Sequence, residues 1–171
     1  MSLETHRAES DAALGVAIVT FSDTRSLAED RGGDYLAEAC AQAGHRVVLR
    51  ELTREDDAAI EAAVRAAAAA PGVQLVLTTG GTGIAPRDRT YDVLRRVLDS
   101  EIPGFGELFR WLSYAEVGSA TILSRALGGV LEGRVVLAMP GSTKALRLAM
   151  EKIVLPEAGH LVSQVGKTAG A

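Results

Sequence analysis

Residues 73–93, "VQLVLTTGGTGIAPRDRTYDV", pass from an apolar run into glycines, then an Arg-Asp pair, then what reads as a helix start. The run 73–79 is short and shows no clearly polar face, as a strand buried on both sides does. A strand that feeds through glycines into a helix is half of a strand–helix–strand unit, so the fold depends on whether the chain repeats it. It does. "LGVAIVT" (14–20) and "HRVVLREL" (45–52) read as strands, and between them "GDYLAEACAQAG" is helical up to its cap at Gly44. "REDDAAIEAAVRAAAAAPG" is a helix ended by Pro71-Gly72. Further on come helices over 91–100 and 104–118, a strand over 134–141, and a helix over 142–154 with Ser142 as N-cap. Pro156 is expected to end or kink that helix before a last short one. No element is assigned over 119–133. The expected fold class is α/β: a mostly parallel central sheet covered by helices on both sides, in one domain over 13–171 after a solvated arm over 1–12.

The bulk properties agree with one compact unit. Of the 171 residues, 47% are hydrophobic and 23% charged, enough for a sizeable core and too apolar for a disordered chain. The net charge of -4 argues against a nucleic-acid binder, whose footprint is a basic patch. The single cysteine, Cys40, has no internal partner and sits in a helical pattern as a small packing residue. His6, His45 and His160 are scattered without metal-ligand spacing. No apolar segment reaches the ~20 residues of a membrane span, and the N-terminus carries no apolar signal core, so a cytoplasmic location is expected.

Ligands of parallel sheets bind beyond the carboxyl ends of the strands. Three small, polar loops leave such ends: "TFSDTRS" with Ser22 and Asp23, "TGGTG" with Gly80, Gly81, Thr82 and Gly83, and "MPGSTK" with Gly141, Ser142 and Lys144. Glycines at this density turn the chain sharply and let successive N–H groups converge on an anion, next to the helix that starts near Thr90. The same turn also arises with no ligand at all, and neither the P-loop nor the dinucleotide signature is present. Arg87-Asp88, just past the glycines, fits a charge-balanced phosphate site. Arg87 neutralises phosphate there and Asp88 holds a Mg²⁺ ion; the pair equally fits a surface ion pair of little worth. Asp56 and Asp57 are a second source of carboxylate, although acids suit a first helical turn for dipole reasons alone.

These residues carry a resemblance. "VLTTGGTGIAPRDRT", together with "VAIVTFSDTRS", "GGDYLAEACAQAGH", "EIPGFGELFRWLSYAEVGSATILSRALGGV" and "MPGSTKA" in the same order, resembles the molybdenum cofactor biosynthesis family that contains MoaB and MogA. Domains of gephyrin are related to it. The similarity covers roughly residues 14–150, and the 104–129 stretch resembles the MoaB branch more than the MogA branch. The resemblance implies the three-layer α/β/α molybdopterin-binding fold and homo-oligomers, with the MoaB hexamer expected over the MogA trimer. It implies adenylylation of molybdopterin by Mg-ATP with release of pyrophosphate, or else a non-catalytic molybdopterin-binding role in the same pathway. It also implies an Asp in the Arg-Asp motif, matching Asp88, and an Asp after the second strand, matching Asp56 with Asp57 as its neighbour. Tyr91 and Asp92 stand where many relatives carry Pro and Glu, and Gly32-Gly33 where they carry Ser-Gly. The molecules expected in the site are therefore Mg²⁺, ATP and molybdopterin.

Overall fold

The structure, a computed structural model, describes residues 13–167. The arm expected over 1–12 lies outside the described residues, as do positions 168–171. Strand β1 (Gly15–Phe21) is buried along its whole length. Its side chains still alternate: Val16 and Ile18 enter one core, while Ala17, Val19 and Phe21 enter the other. This period of two, with both faces apolar, is why the segment can only sit inside a sheet covered twice.

Helix α1 (Arg31–Gln42) leads to β2 (Arg46–Thr53), and α2 (Asp57–Ala69) to β3 (Leu75–Thr79). Next come α3 (Thr90–Val97), the two-residue β4 (Ser100–Glu101) and α4 (Pro103–Val117). Then follow β5 (Leu127–Leu131), β6 (Arg134–Met139), α5 (Thr143–Ala149) and, after a π-helical turn over Met150–Val154, α6 (Leu155–Gly166). The sheet runs β2-β1-β3-β6-β5-β4. Strands β2, β1, β3 and β6 are parallel, while β5 and β4 pair antiparallel at one side. Helices α1, α4, α5 and α6 pack on one face through Leu36, Phe109, Leu146 and Ala158. Helices α2 and α3 pack on the other through Ile60, Val64, Val93 and Leu94. The three-layer α/β/α architecture is thereby in place.

Several elements differ from the reading of the sequence, beginning with the helix expected over 91–100, which ends at Val97 and gives way to the short β4. Strand β5 lies in the stretch left unassigned, joined to β6 by a two-residue hairpin turn in which Glu132 (φ 50°) and Gly133 (φ 73°) are both left-handed. Of the two outcomes expected at Pro156, the helix does not end there: it continues through a π-helical turn into α6. That residue has no N–H to give the preceding turn, and the wider π-helical turn just before it absorbs the missing bond and the ring.

Candidate functional site

The parallel strands β1, β3 and β6 are neighbours, and β1 and β3 flank the point where the strand order reverses. Their carboxyl ends therefore release three loops on one side of the sheet. A cavity of about 620 Å³ opens there, within the range of small-molecule sites. Ser22, Asp23 and Arg25 line it from the loop after β1, and Gly80 to Gly83, Arg87 and Asp88 from the loop after β3. Gly141, Ser142 and Lys144 line it from the loop after β6, while Phe109, Ser113, Glu116 and Val117 of α4 close the far wall.

The glycine loop is shaped by two left-handed residues, Gly80 (φ 99°) and Gly81 (φ 64°). A side chain at Gly80 would run into the Phe21 carbonyl, and one at Gly81 into the Thr90 hydroxyl. Gly80 N–H donates to the Met139 carbonyl (3.2 Å), tying the loop to the end of β6. Beyond it, the Gly81 carbonyl accepts from Thr90 N–H (3.1 Å), and the Thr82 and Gly83 carbonyls each accept a hydrogen bond from Arg125. Among the described residues none accepts from the N–H groups of Gly81, Thr82 or Gly83. Three successive free amides beside a cavity, with their carbonyls engaged elsewhere, form the kind of concavity that takes an anion.

Charges of both signs surround it. One Asp88 carboxylate oxygen accepts from Ala85 N–H (2.8 Å), which holds the acid against the loop it follows. Asp23 accepts from Glu55 N–H (3.1 Å), joining the loops after β1 and β2. Ser22 Oγ accepts from Arg25 N–H (3.2 Å) and so shapes its own turn. Ser142 Oγ accepts from Ala145 N–H (3.2 Å) as the N-cap of α5. Across the far end, Lys144 pairs with Glu116 at 3.4 Å.

The acid supplied by the loop after β2 is Glu55, which lines the cavity. Burial raises its pKa above the usual carboxylate range, as do the nearby charges of Asp23 and Asp88, with Arg87 and Arg25 opposing. Asp56, expected from the sequence to serve here, is outside the lining. Its side chain is 52% exposed and caps α2 by accepting from Ala59 N–H (2.9 Å), so its geometry is committed to the helix start. Asp57 is likewise committed, held by Arg89 at 2.8 and 3.1 Å. Thr90 is fully buried behind Gly81, its hydroxyl without a protein partner, and it supports the loop instead of facing the cavity. A signal for Glu55 did exist: in "TREDDAA", the N-cap preference assigns Asp56 to the helix, which leaves the acid before it nearer the strand end.

The remaining titratable groups lie elsewhere. The Cys40 thiol is buried and its pKa is pushed up to about 11, which suits packing and not nucleophilic chemistry. His45 Nδ1 accepts from Leu14 N–H (3.3 Å), and His160 Nδ1 lies 3.3 Å from Glu157. His6 is outside the described residues. Among the described residues there is no group of three or more His, Cys, Asp and Glu arranged as a metal cage, and no helix long and apolar enough to cross a membrane.

Residues 17–160 match a family model described as a probable molybdopterin binding domain. A Bacillus cereus protein named molybdenum cofactor biosynthesis protein B is 45% identical over 166 residues, covering 96% of this chain and 98% of that protein. A crystal structure of a molybdenum cofactor biosynthesis protein B superposes with a TM-score of 0.90 at 45% identity, covering 92% of this chain and 99% of the other. The tungsten cofactor synthesizing protein MoaB from Pyrococcus furiosus superposes with a TM-score of 0.81 at 33% identity, covering 90% of this chain and 97% of the other.

Proposed function

The chain belongs to the molybdopterin-binding domain family, and from that premise we propose that it serves molybdenum cofactor biosynthesis by adenylylating molybdopterin with Mg-ATP. The observation that carries this reading is the pairing, in one cavity, of three free amides with two acids, Asp88 and Glu55. A site that only held a phosphorylated pterin would gain nothing from carboxylates beside phosphate.

In the proposed reaction, an oxygen of the terminal phosphate of molybdopterin attacks the α-phosphorus of ATP. The new P–O bond forms as the bond to the β-phosphate bridge breaks, and pyrophosphate leaves with the electron pair. Two polyanions must meet, so the protein's task is positioning and screening. The amides of Gly81, Thr82 and Gly83 donate to phosphate oxygens. Arg87 and Arg25 offset phosphate charge, and Lys144 and Glu116 line the opposite end of the cavity. Ser22 and Asp23 set the loop that brings Glu55 into place.

The donor set suits Mg²⁺, an ion commonly held by one or two carboxylates while phosphates and water complete its shell. Asp88 and Glu55 are the residues that would hold it. A carboxylate made less acidic by burial and by its anionic neighbours, as Glu55 is, gains from a cation beside it. When bound, Mg²⁺ supplies neutralisation of the phosphate charge.

Incubating the purified protein with molybdopterin and Mg-ATP, and looking for AMP-linked pterin and pyrophosphate, tests the reading. Asp88→Asn is expected to keep the fold and lower the rate by about 10²–10³-fold, as does loss of one electrostatic group in other enzymes. Pterin binding without any product from the unaltered chain would replace the transferase reading with a non-catalytic binding role.

A further inference from the structure

The glycine loop and Asp88 belong to one stretch, and a single side chain far along the sequence grips that stretch from behind. Arg125 lies at the entry to β5 and is not among the residues that line the cavity. Its own N–H donates to the Thr82 carbonyl (3.0 Å). Its Nε donates to the Gly83 carbonyl (2.8 Å) and its Nη2 to the Asp88 carbonyl (2.8 Å). Nη1 reaches both carboxylate oxygens of Asp92, at 3.1 and 3.2 Å, and the guanidinium lies over the Tyr91 ring, 4.8 Å from its centroid. We infer that Arg125 is a positioning residue, which fixes the glycine loop and Asp88 in their ligand-receiving geometry without itself touching the ligand.

The physical basis is the rigidity of the fork. A guanidinium is planar and presents its donors at fixed spacing, so one group bonded to the Gly83 and Asp88 carbonyls sets the distance between those residues. The loop is already close-folded there, since a side chain at Gly83 would come within 2.6 Å of an Asp88 carboxylate oxygen. By drawing the Thr82 and Gly83 carbonyls toward itself, Arg125 keeps them off the cavity and leaves the neighbouring amides free. Asp92 neutralises the guanidinium on its outer side, so its role is geometric and not the binding of anions. A lysine keeps the charge but satisfies only one of these acceptors with good geometry.

This inference goes beyond the transferase reading, and only its kinetic arm rests on that reading. In the ligand-free protein, Arg125→Lys should speed hydrogen exchange at the bonded amides of this loop, those of Gly80, Ala85 and Asp88, by about tenfold or more, while exchange in β1 and β6 stays as before. In turnover, the KM for Mg-ATP should rise about tenfold and kcat fall about 10²-fold, as misplacement of a site by about an ångström does. Unchanged exchange at those amides, or an equal rise throughout the chain, overturns the inference. An unaltered chain that forms no adenylylated pterin overturns the transferase reading, and the exchange arm still decides the role of Arg125. Should Arg125→Lys fail to fold, Asp92→Asn removes only the outer anchor. It must then loosen the same segment in smaller measure, and no loosening there overturns the inference as well.

Discussion

Glu55 and Asp56 are adjacent and carry the same charge, but Glu55 lines the cavity while Asp56 caps α2. Glu55→Gln is expected to lower the adenylylation rate by about 10²-fold, the order of one lost electrostatic group. Asp56→Ala should leave turnover intact and cost about 1 kcal/mol of stability as a lost N-cap, read as a fall of roughly 2–4 °C in Tm. The reverse pattern would return Asp56 to the site. A pH experiment adds an independent handle, because the folded-state pKa of Glu55 lies above its ordinary value. Below the ordinary carboxylate range the group is neutral in both states and costs nothing. As pH rises through the folded-state value it ionises in the folded protein at a penalty, and stability falls. The Tm of Glu55→Gln should thus match that of the unaltered chain near about pH 4 and exceed it near about pH 7. Equal values at both pH would show that burial and the acids nearby exert no such penalty. At this scale the sequence was legible where spacing is rigid: four loop residues and an Arg-Asp pair follow β3 at once. After β2 it left neighbouring acids undivided, because helix-start chemistry and site chemistry both ask for an acid there, and only the structure shows Asp56 capping α2 while Glu55 lines the cavity.

Strands β1 and β3 announce themselves as short apolar runs, whereas β5, "LGGVL", does not, because two of its five residues lack side chains. The reason for those glycines is spatial and comes from neighbours distant in sequence. A Cβ at Gly129 would lie 2.5 Å from the Ser100 carbonyl oxygen and 2.6 Å from Leu98, so the strand meets β4 and its approach only if that position is bare. No rule of local propensity exposes such a demand. Gly129→Ala should therefore destabilise the fold by about 1–3 kcal/mol, the usual cost of overpacking, while Gly104→Ala, at a site with open space, should stay within about 0.5 kcal/mol. Denaturant midpoints measure both, and equal midpoints would mean that β5 yields without cost. The strand matters to the site because the segment entering it carries Arg125. An element invisible to periodicity thus sits directly behind the loop that periodicity made obvious.

At the scale of the whole molecule, the alternation of strand and helix foretold the parallel part of the sheet and the convergence of three loops, but not the antiparallel edge. It also gave no view of one outer face. Leu108, Trp111, Tyr114 and Val117 recur at steps of three along α4, on its solvent side, and the turn after it adds Ile122 and Leu123. Trp111 is 72% exposed and Ile122 75%, and Val117 and Leu123 carry the patch to the rim of the cavity. An isolated exposed leucine needs no explanation, but a contiguous apolar set that includes Trp and Tyr fits association between chains. The homo-oligomer that the family resemblance implies, with a hexamer expected over a trimer, would bury such a face. Light scattering at micromolar concentration should read six chain masses, with three the outcome for a trimer. Trp111→Glu places a charge where the contact must dry, and should shift the particle to smaller species while the isolated chain keeps its helix and strand content. A monomer from the unaltered chain would overturn that expectation, and the apolar rim would then have to be explained as part of the ligand cavity alone.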